Sequence, residues 1–159
     1  MMKEFDGKKV TIVGLGRTAL PLAQLLKRQG AKPYVTEADE GESVSERAAE
    51  LTKHGIDHEI AGQTAQAFEN AAIVIPSPGV SPRLPQIQEA VVRGAKLLSE
   101  LEFASRFCSS DTIAVTGTNG KTTTTELIYA MLRSCGVTVT LAGNNATPLS
   151  QVVLQVPQP

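Results

Sequence analysis

The chain contains no tryptophan, and its aromatic content is only 4%. A single-stranded nucleic-acid binder would need more aromatic faces on which to stack bases. Neither sign of charge dominates, since 15 Lys and Arg face 16 Asp and Glu. That balance gives no sign of a nucleic-acid footprint or of a polybasic membrane patch. Cysteine occurs twice, at Cys108 and Cys135, with neither metal-ligand spacing nor the pattern of a disulfide framework. A reduced, cytoplasmic setting is expected. The two histidines, His54 and His58, stand apart from any further ligand at useful spacing, so both are expected to face solvent. No apolar run is long enough to cross a bilayer. The opening residues, Met1 to Asp6, carry no signal-peptide core. Internal repeats and low-complexity tracts are missing too.

What is present supports a packed core. Apolar residues make up 42% of the 159 residues, enough for one domain or for one domain and part of another. Lys9 to Val13 reads as a strand buried on both faces. Gly14-Leu15-Gly16-Arg17-Thr18-Ala19 follows, then a helix from Ala19 to Gln29 with Leu22, Leu25 and Leu26 on its inner stripe and Gly30 closing it. Tyr34 to Thr36 is a second strand, ending at Glu37. Strand, G-x-G-x-x-A, helix, strand and acid stand in the order of a dinucleotide-binding fold. On this pattern alone the turn could hold NAD, could hold any other diphosphate on the helix end, or could be a tight turn without a ligand.

Further along, Ser43 to Glu46 has capping-box form and is expected to start a helix running to His54. Ile56 to Ile60 reads as a short strand, 64–70 as a short helix and Ala72 to Ile75 as a buried strand. Pro76 to Pro82 then makes a stiff loop at that strand's C-terminal end, where open parallel sheets bind ligands. Gly79 would let a ligand approach the backbone there, although a plain turn fits equally. A helix over 84–93, a strand over 96–98 and a helix from Glu100 to Phe107, capped by Ser99, complete the first unit. The polar run Cys108 to Asp111 marks the expected boundary, giving units 1–108 and 109–159.

The second unit opens on a second corner. Thr112 to Val115 reads as a buried strand, Thr116-Gly117-Thr118-Asn119-Gly120-Lys121-Thr122-Thr123 as a glycine turn, and the residues from Thr124 to Cys135 as a helix. Two glycines allow the backbone to curl its N–H groups inward, and the helix end and Lys121 add positive charge. Thr122 sits where a hydroxyl can ligate the magnesium of a bound nucleotide. The common phosphate loop has its first glycine five positions before the second, whereas here Val115 stands there and Gly117 is the first. The competing reading is a plain turn with an exposed lysine. Val137 to Leu141 reads as a further strand, Gly143 to Pro148 as a polar turn, and Leu149 to Val156 as a helix.

The octapeptide Thr116 to Thr123 resembles the ATP-binding loop of the Mur ligases, which add amino acids to the peptidoglycan precursor. Folylpolyglutamate synthetases carry a similar loop but begin close to it. Gly14-Leu15-Gly16-Arg17-Thr18, Ser77-Pro78-Gly79 and Gly143-Asn144-Asn145 extend the resemblance over nearly the whole chain. It points to the branch that adds D-glutamate, because the L-alanine-adding branch usually has histidine where Asn119 stands. The expected fold class is therefore α/β: a Rossmann-like open parallel sheet with helices on both faces, followed by the beginning of a P-loop-type ATPase domain.

The resemblance implies that the first domain holds UDP-N-acetylmuramoyl-L-alanine through Gly14, Gly16, Arg17, Thr18, Glu37, Ser77, Pro78 and Gly79, with Asn144 of the second unit at the sugar. Ala38-Asp39 stand where the compared member has a Thr-Arg pair, so the resemblance does not carry over its uracil contacts at these two positions. The resemblance further implies that ATP lies on Gly117, Thr118, Asn119, Gly120, Lys121, Thr122 and Thr123, with Lys121 catalytic and Thr122 on Mg2+. ATP would phosphorylate the L-alanine carboxylate, and the D-glutamate amine would displace phosphate. Nucleic acid and membrane are not expected partners, and the family members are mostly monomeric. The family's other magnesium ligands, its carbamylated lysine and its amino-acid-binding domain match nothing up to Pro159, so the chain alone is expected to be inactive. Two other classes stay open: a stand-alone NAD or UDP-sugar binding module, and a structural or partner-binding remnant.

Overall fold

A computed structural model describes residues 4–143 and 147–156. Five parallel strands form one sheet: β1 (Lys9–Val13), β2 (Lys32–Thr36), β3 (Asp57–Glu59), β4 (Ile73–Pro76) and β5 (Lys96–Leu97). Their order is β3-β2-β1-β4-β5. The chain adds strands outward from β1 on one side, then returns to its other side with β4. The point of reversal, between β1 and β4, is where a sheet of this kind opens a crevice at its carboxyl edge. Val13 pairs with Thr36 on one side and Pro76 on the other, so three strand ends meet there.

Among the described residues there are seven helices, of which the first four connect the strands and the last three follow β5: α1 (Ala19–Arg28), α2 (Glu42–Lys53), α3 (Ala65–Phe68), α4 (Pro85–Val92), α5 (Glu100–Ser105), α6 (Lys121–Ser134) and α7 (Leu149–Gln155). The two-residue period of β1 explains the layering. Val10 and Ile12 join a core with Leu22, Leu25 and Leu26 of α1, Leu51 of α2 and Phe103 of α5. Val13 joins the opposite core with Phe68 of α3 and Ile87 of α4. Thr11, also fully buried, satisfies its hydroxyl by donating to the Ala67 carbonyl at 2.6 Å. The open parallel sheet with helices on both faces is thus as expected. Phe5, Phe103 and Phe107 close one end, with Phe5 and Phe103 edge-to-face at 5.2 Å.

Most helix boundaries lie within a residue or two of those the sequence suggests, and Ser99 caps α5 by accepting from the Glu102 amide at 3.1 Å. The capping box at Ser43 does not form. Gly41 is the residue that precedes α2, without a side-chain cap, and the Ser45 amide donates to its carbonyl instead. Its φ of +146° is costly for other residues, and the cap lies two residues before the expected Ser43.

The larger departure lies beyond residue 108. The strands expected at Thr112 to Val115 and at Val137 to Leu141 are not formed, and Ile113 is 61% exposed. A parallel strand exists only through its neighbours. Among the described residues, the single pairing in this stretch is a bridge between Ala142 and Thr147. Helix α6 forms as expected but begins earlier, at Lys121, and none of its residues is buried. By contrast α7 returns to the first core: Val153 is buried with α1 and α5, and Leu149 and Leu154 pack beside it. The Glu100 carboxylate accepts from the Ser150 amide at 2.7 Å, which ties the start of α7 to the start of α5.

Candidate functional site

The first glycine corner sits at the reversal point. Gly14 leaves β1 with φ +99°, and its amide donates to the Thr36 carbonyl at 2.8 Å. A Cβ at Gly14 would lie 2.8 Å from Val80 Cγ2 and 3.0 Å from Ser77 Cβ, so conformation and space both demand glycine. Ser77 closes the crevice from the β4 side. Its amide donates to the Val13 carbonyl and its hydroxyl to the Gly14 carbonyl, both at 2.8 Å. Gly14, Gly16 and Ser77 are therefore brought together. Pro78 and Gly79 follow on the exposed loop, and nothing lies within 4 Å of a Cβ built at Gly79, which leaves the backbone open to approach.

Glu37 completes this corner in an unexpected manner. Its carboxylate accepts from the Leu15 amide at 2.6 Å and from the Asp39 amide at 3.0 Å. The acid thus braces the glycine turn through its backbone, and one of the turn's donors is already occupied. Arg17 is exposed and Thr18 is the N-cap of α1 without a side-chain cap, so both stand at the helix end where an anion is favoured. Asn144 lies outside the described residues.

Glu59 ties down the neighbouring strand end. It accepts from the Thr36 hydroxyl at 2.7 Å, the Thr64 amide at 2.8 Å and the Thr64 hydroxyl at 2.6 Å. Partial burial pushes its carboxyl pKa up, but the donors from Thr64 and Thr36 outweigh this and hold it below the usual value.

The second corner keeps its local shape without the strand. Gly117 has φ +149°, and Gly120, at φ +77°, is the N-cap of α6. The Lys121 ammonium folds back to donate to the Gly117 carbonyl at 2.5 Å and the Thr118 carbonyl at 3.3 Å. The loop carbonyls thereby hold the charge over the turn. The residues from Gly117 to Thr123 are all exposed.

The sequence pattern did not foreshadow Arg47. On α2, it donates to the Leu15 carbonyl at 3.0 Å and so reaches the first corner across thirty-odd residues of chain. With Arg17, Gln24, Glu50 and Gln151 of α7 it lines a cleft of about 330 Å³ beside that corner. Nothing short of the α1–α2 packing could have placed it there. His54 is exposed beside Gln24 and His58 is partly exposed. Among the described residues no group of three or more His, Cys, Asp or Glu could hold a metal, and no helix is long and apolar enough to cross a membrane.

Comparison with known proteins fits this geometry. Residues 8–99 match the family model for the Mur ligase MurD-like N-terminal domain, and residues 115–158 match that for the Mur ligase middle domain. The chain is 40% identical over 153 residues to UDP-N-acetylmuramoylalanine--D-glutamate ligase of Oleidesulfovibrio alaskensis, covering 95% of this chain and 34% of that protein. It is 40% identical over 154 residues to the same-named ligase of Syntrophus aciditrophicus, covering 94% and 33%. Among solved structures, UDP-N-acetylmuramate-alanine ligase of Thermotoga maritima is similar with TM-score 0.53 and 28% identity over 80% of this chain and 30% of that one. The chain thus spans about a third of the length of the curated relatives it matches. These matches favour the ligase reading over a stand-alone dinucleotide module.

Proposed function

Since the chain belongs to the Mur ligase family through its MurD-like N-terminal domain, we propose that it is the N-terminal part of an ATP-dependent, ADP-forming ligase that joins D-glutamate to UDP-N-acetylmuramoyl-L-alanine. The supporting observation is the glycine corner at the reversal point of a five-stranded sheet that lies wholly within the matched residues 8–99. In this reading 1–108 bind the UDP-linked precursor and 109–159 begin the ATP-binding domain. The setting in this reading is the cytoplasm.

Each residue's role follows from its place. Gly14 and Gly16 keep the corner slim so that a diphosphate can reach the start of α1. Arg17 and Thr18 flank it, Glu37 fixes the turn, and Ser77, Pro78 and Gly79 border the nucleotide from the β4 side. Asn144 belongs to the same proposed set. The parts of the second corner fit a nucleoside triphosphate: positive-φ glycines, the N-terminus of a 14-residue helix and a lysine over the turn. Gly117, Thr118, Asn119, Gly120 and Thr123 would line it. Lys121 would exchange its loop carbonyls for phosphate oxygens and stabilise charge on the transferred phosphoryl group. Thr122 would present its hydroxyl to Mg2+, which when bound neutralises charge on the phosphates. The γ-phosphoryl group passes to the L-alanine carboxylate, giving an acyl phosphate and ADP. The D-glutamate amine then attacks the carbonyl carbon, and phosphate leaves with the bonding pair.

Calorimetric titration tests the first half of this reading. UDP-N-acetylmuramoyl-L-alanine is expected to give binding heat and NAD none. Heat with NAD alone would overturn the ligase reading in favour of a dinucleotide module, and heat with neither would leave a remnant without this ligand site.

A further inference from the structure

We propose that Arg47 is a substrate-positioning residue that grips the diphosphate of the UDP-linked precursor beside Arg17; the inference rests on the reading of the first corner as the precursor site. At a glycine turn the ordinary donors to a diphosphate are backbone amides. Here the Leu15 amide is spent on the Glu37 carboxylate at 2.6 Å, which also brings a negative charge to the turn. With one backbone donor fewer and one negative charge more than a plain glycine turn, this corner gains most from positive side chains beside the start of α1. The side chains lining the adjoining cleft supply positive charge. Arg17 comes from the corner itself and Arg47 from α2, and the one acid among them, Glu50, is paired with Lys53 at 2.5 Å.

Arg47 is also held in position. One guanidinium nitrogen donates to the Leu15 carbonyl, so the side chain is fixed to the same residue whose amide Glu37 occupies. A planar guanidinium anchored through one nitrogen keeps further N–H groups in a fixed fork that matches two phosphate oxygens. Gln151 of α7 lies on the same cleft, so a ligand there touches both the first domain and the last helix.

The test compares UDP with uridine, titrated calorimetrically into the parent chain and into Arg47→Ala, Arg47→Lys and Arg17→Ala, with circular dichroism as the check on folding. A charge-assisted hydrogen bond to phosphate is worth enough that Arg47→Ala is expected to weaken UDP about tenfold and leave uridine unchanged. Arg47→Lys should recover part of the loss, because it keeps the charge without the fork. Undiminished UDP affinity in Arg47→Ala, with the parent binding UDP, overturns the role of Arg47 and leaves the precursor site standing. Equal weakening of UDP and uridine overturns it too, since that is the mark of a strut for Leu15. If Arg47→Ala does not fold, Arg47→Lys decides: unchanged UDP affinity and unchanged salt dependence would again remove the proposal. A parent chain that takes neither UDP nor the full precursor overturns the precursor site itself.

Discussion

Two glycine corners of similar sequence have met different fates. Lys9 to Val13, then Gly14 and Gly16, then α1 form a strand, a turn and a buried helix. Thr112 to Val115, then Gly117 and Gly120, then α6 offer the same order, yet the strand is missing and α6 has no buried residue. The local signals are of equal quality. What differs is that β1 lies between β2 and β4, whereas among the described residues nothing pairs with 112–115. A helix makes its own hydrogen bonds and survives alone on paper; a strand borrows all of its bonds from neighbours. The exposed faces of Ile113, Leu127, Met131 and Val137 are what such a stretch shows when its apolar side has no cover.

Amide hydrogen exchange gives the widest separation. The amides of Val10 to Val13 are expected to exchange only through global opening, whereas those of 112–115 should exchange nearly freely, a difference on the order of a thousandfold or more. Comparable protection in both stretches would break the contrast. Next in size is a pair of truncations. Leu25→Ala, at 0% exposure, should cost about 2–5 kcal/mol in denaturant unfolding. Leu127→Ala, at 60% exposure, should stay within about 0.5 kcal/mol. Smaller again is a glycine pair. Gly14→Ala meets Val80 and Ser77 as well as an unfavourable φ, and should cost about 2–4 kcal/mol. Gly120→Ala faces open space and only the strain of φ +77°, about 1–2 kcal/mol locally in α6.

The first half of the chain was legible because its signals agree at every level. Strand runs, glycine C′ residues and the acid at the end of β2 all point to one fold. Periodicity also found α6 and α7, but not where α7 goes, since Val153 enters the first core from beyond the boundary expected at residue 108. The contact between Glu100 and the Ser150 amide joins residues fifty apart, and no local pattern announces it. Arg47 escaped for the same reason: its hydrogen bond to Leu15 depends on how α2 packs, not on any spacing. Glu37 was found by its position but not by its manner, because a motif names the residue at a strand end and is silent on whether its carboxylate meets a ligand or the turn beside it.

The smallest expected effect sharpens the comparison from the acid side. Glu59 has its folded pKa held below the ordinary value by Thr64 and Thr36 donors that outweigh burial. For a carboxyl lowered on folding, the unfolded chain binds the proton more tightly. The stabilisation is therefore fully present above the unfolded pKa of about 4.3–4.5. It fades as pH falls from there through the folded value. Melting followed by circular dichroism between pH 7 and pH 3 should show this loss in the parent and less of it in Glu59→Gln. At neutral pH that variant should be slightly less stable, because an amide accepts more weakly from Thr36 and Thr64 than a carboxylate does. Since Glu59 binds the end of β3 to β2 through Thr36, the acid-induced change should first reach the strand ends around the first corner. Exchange at 112–115, already fast, should hardly respond beyond its intrinsic pH dependence. If those amides instead gained or lost protection together with β2 and β3, the two regions would have to be treated as one cooperative unit.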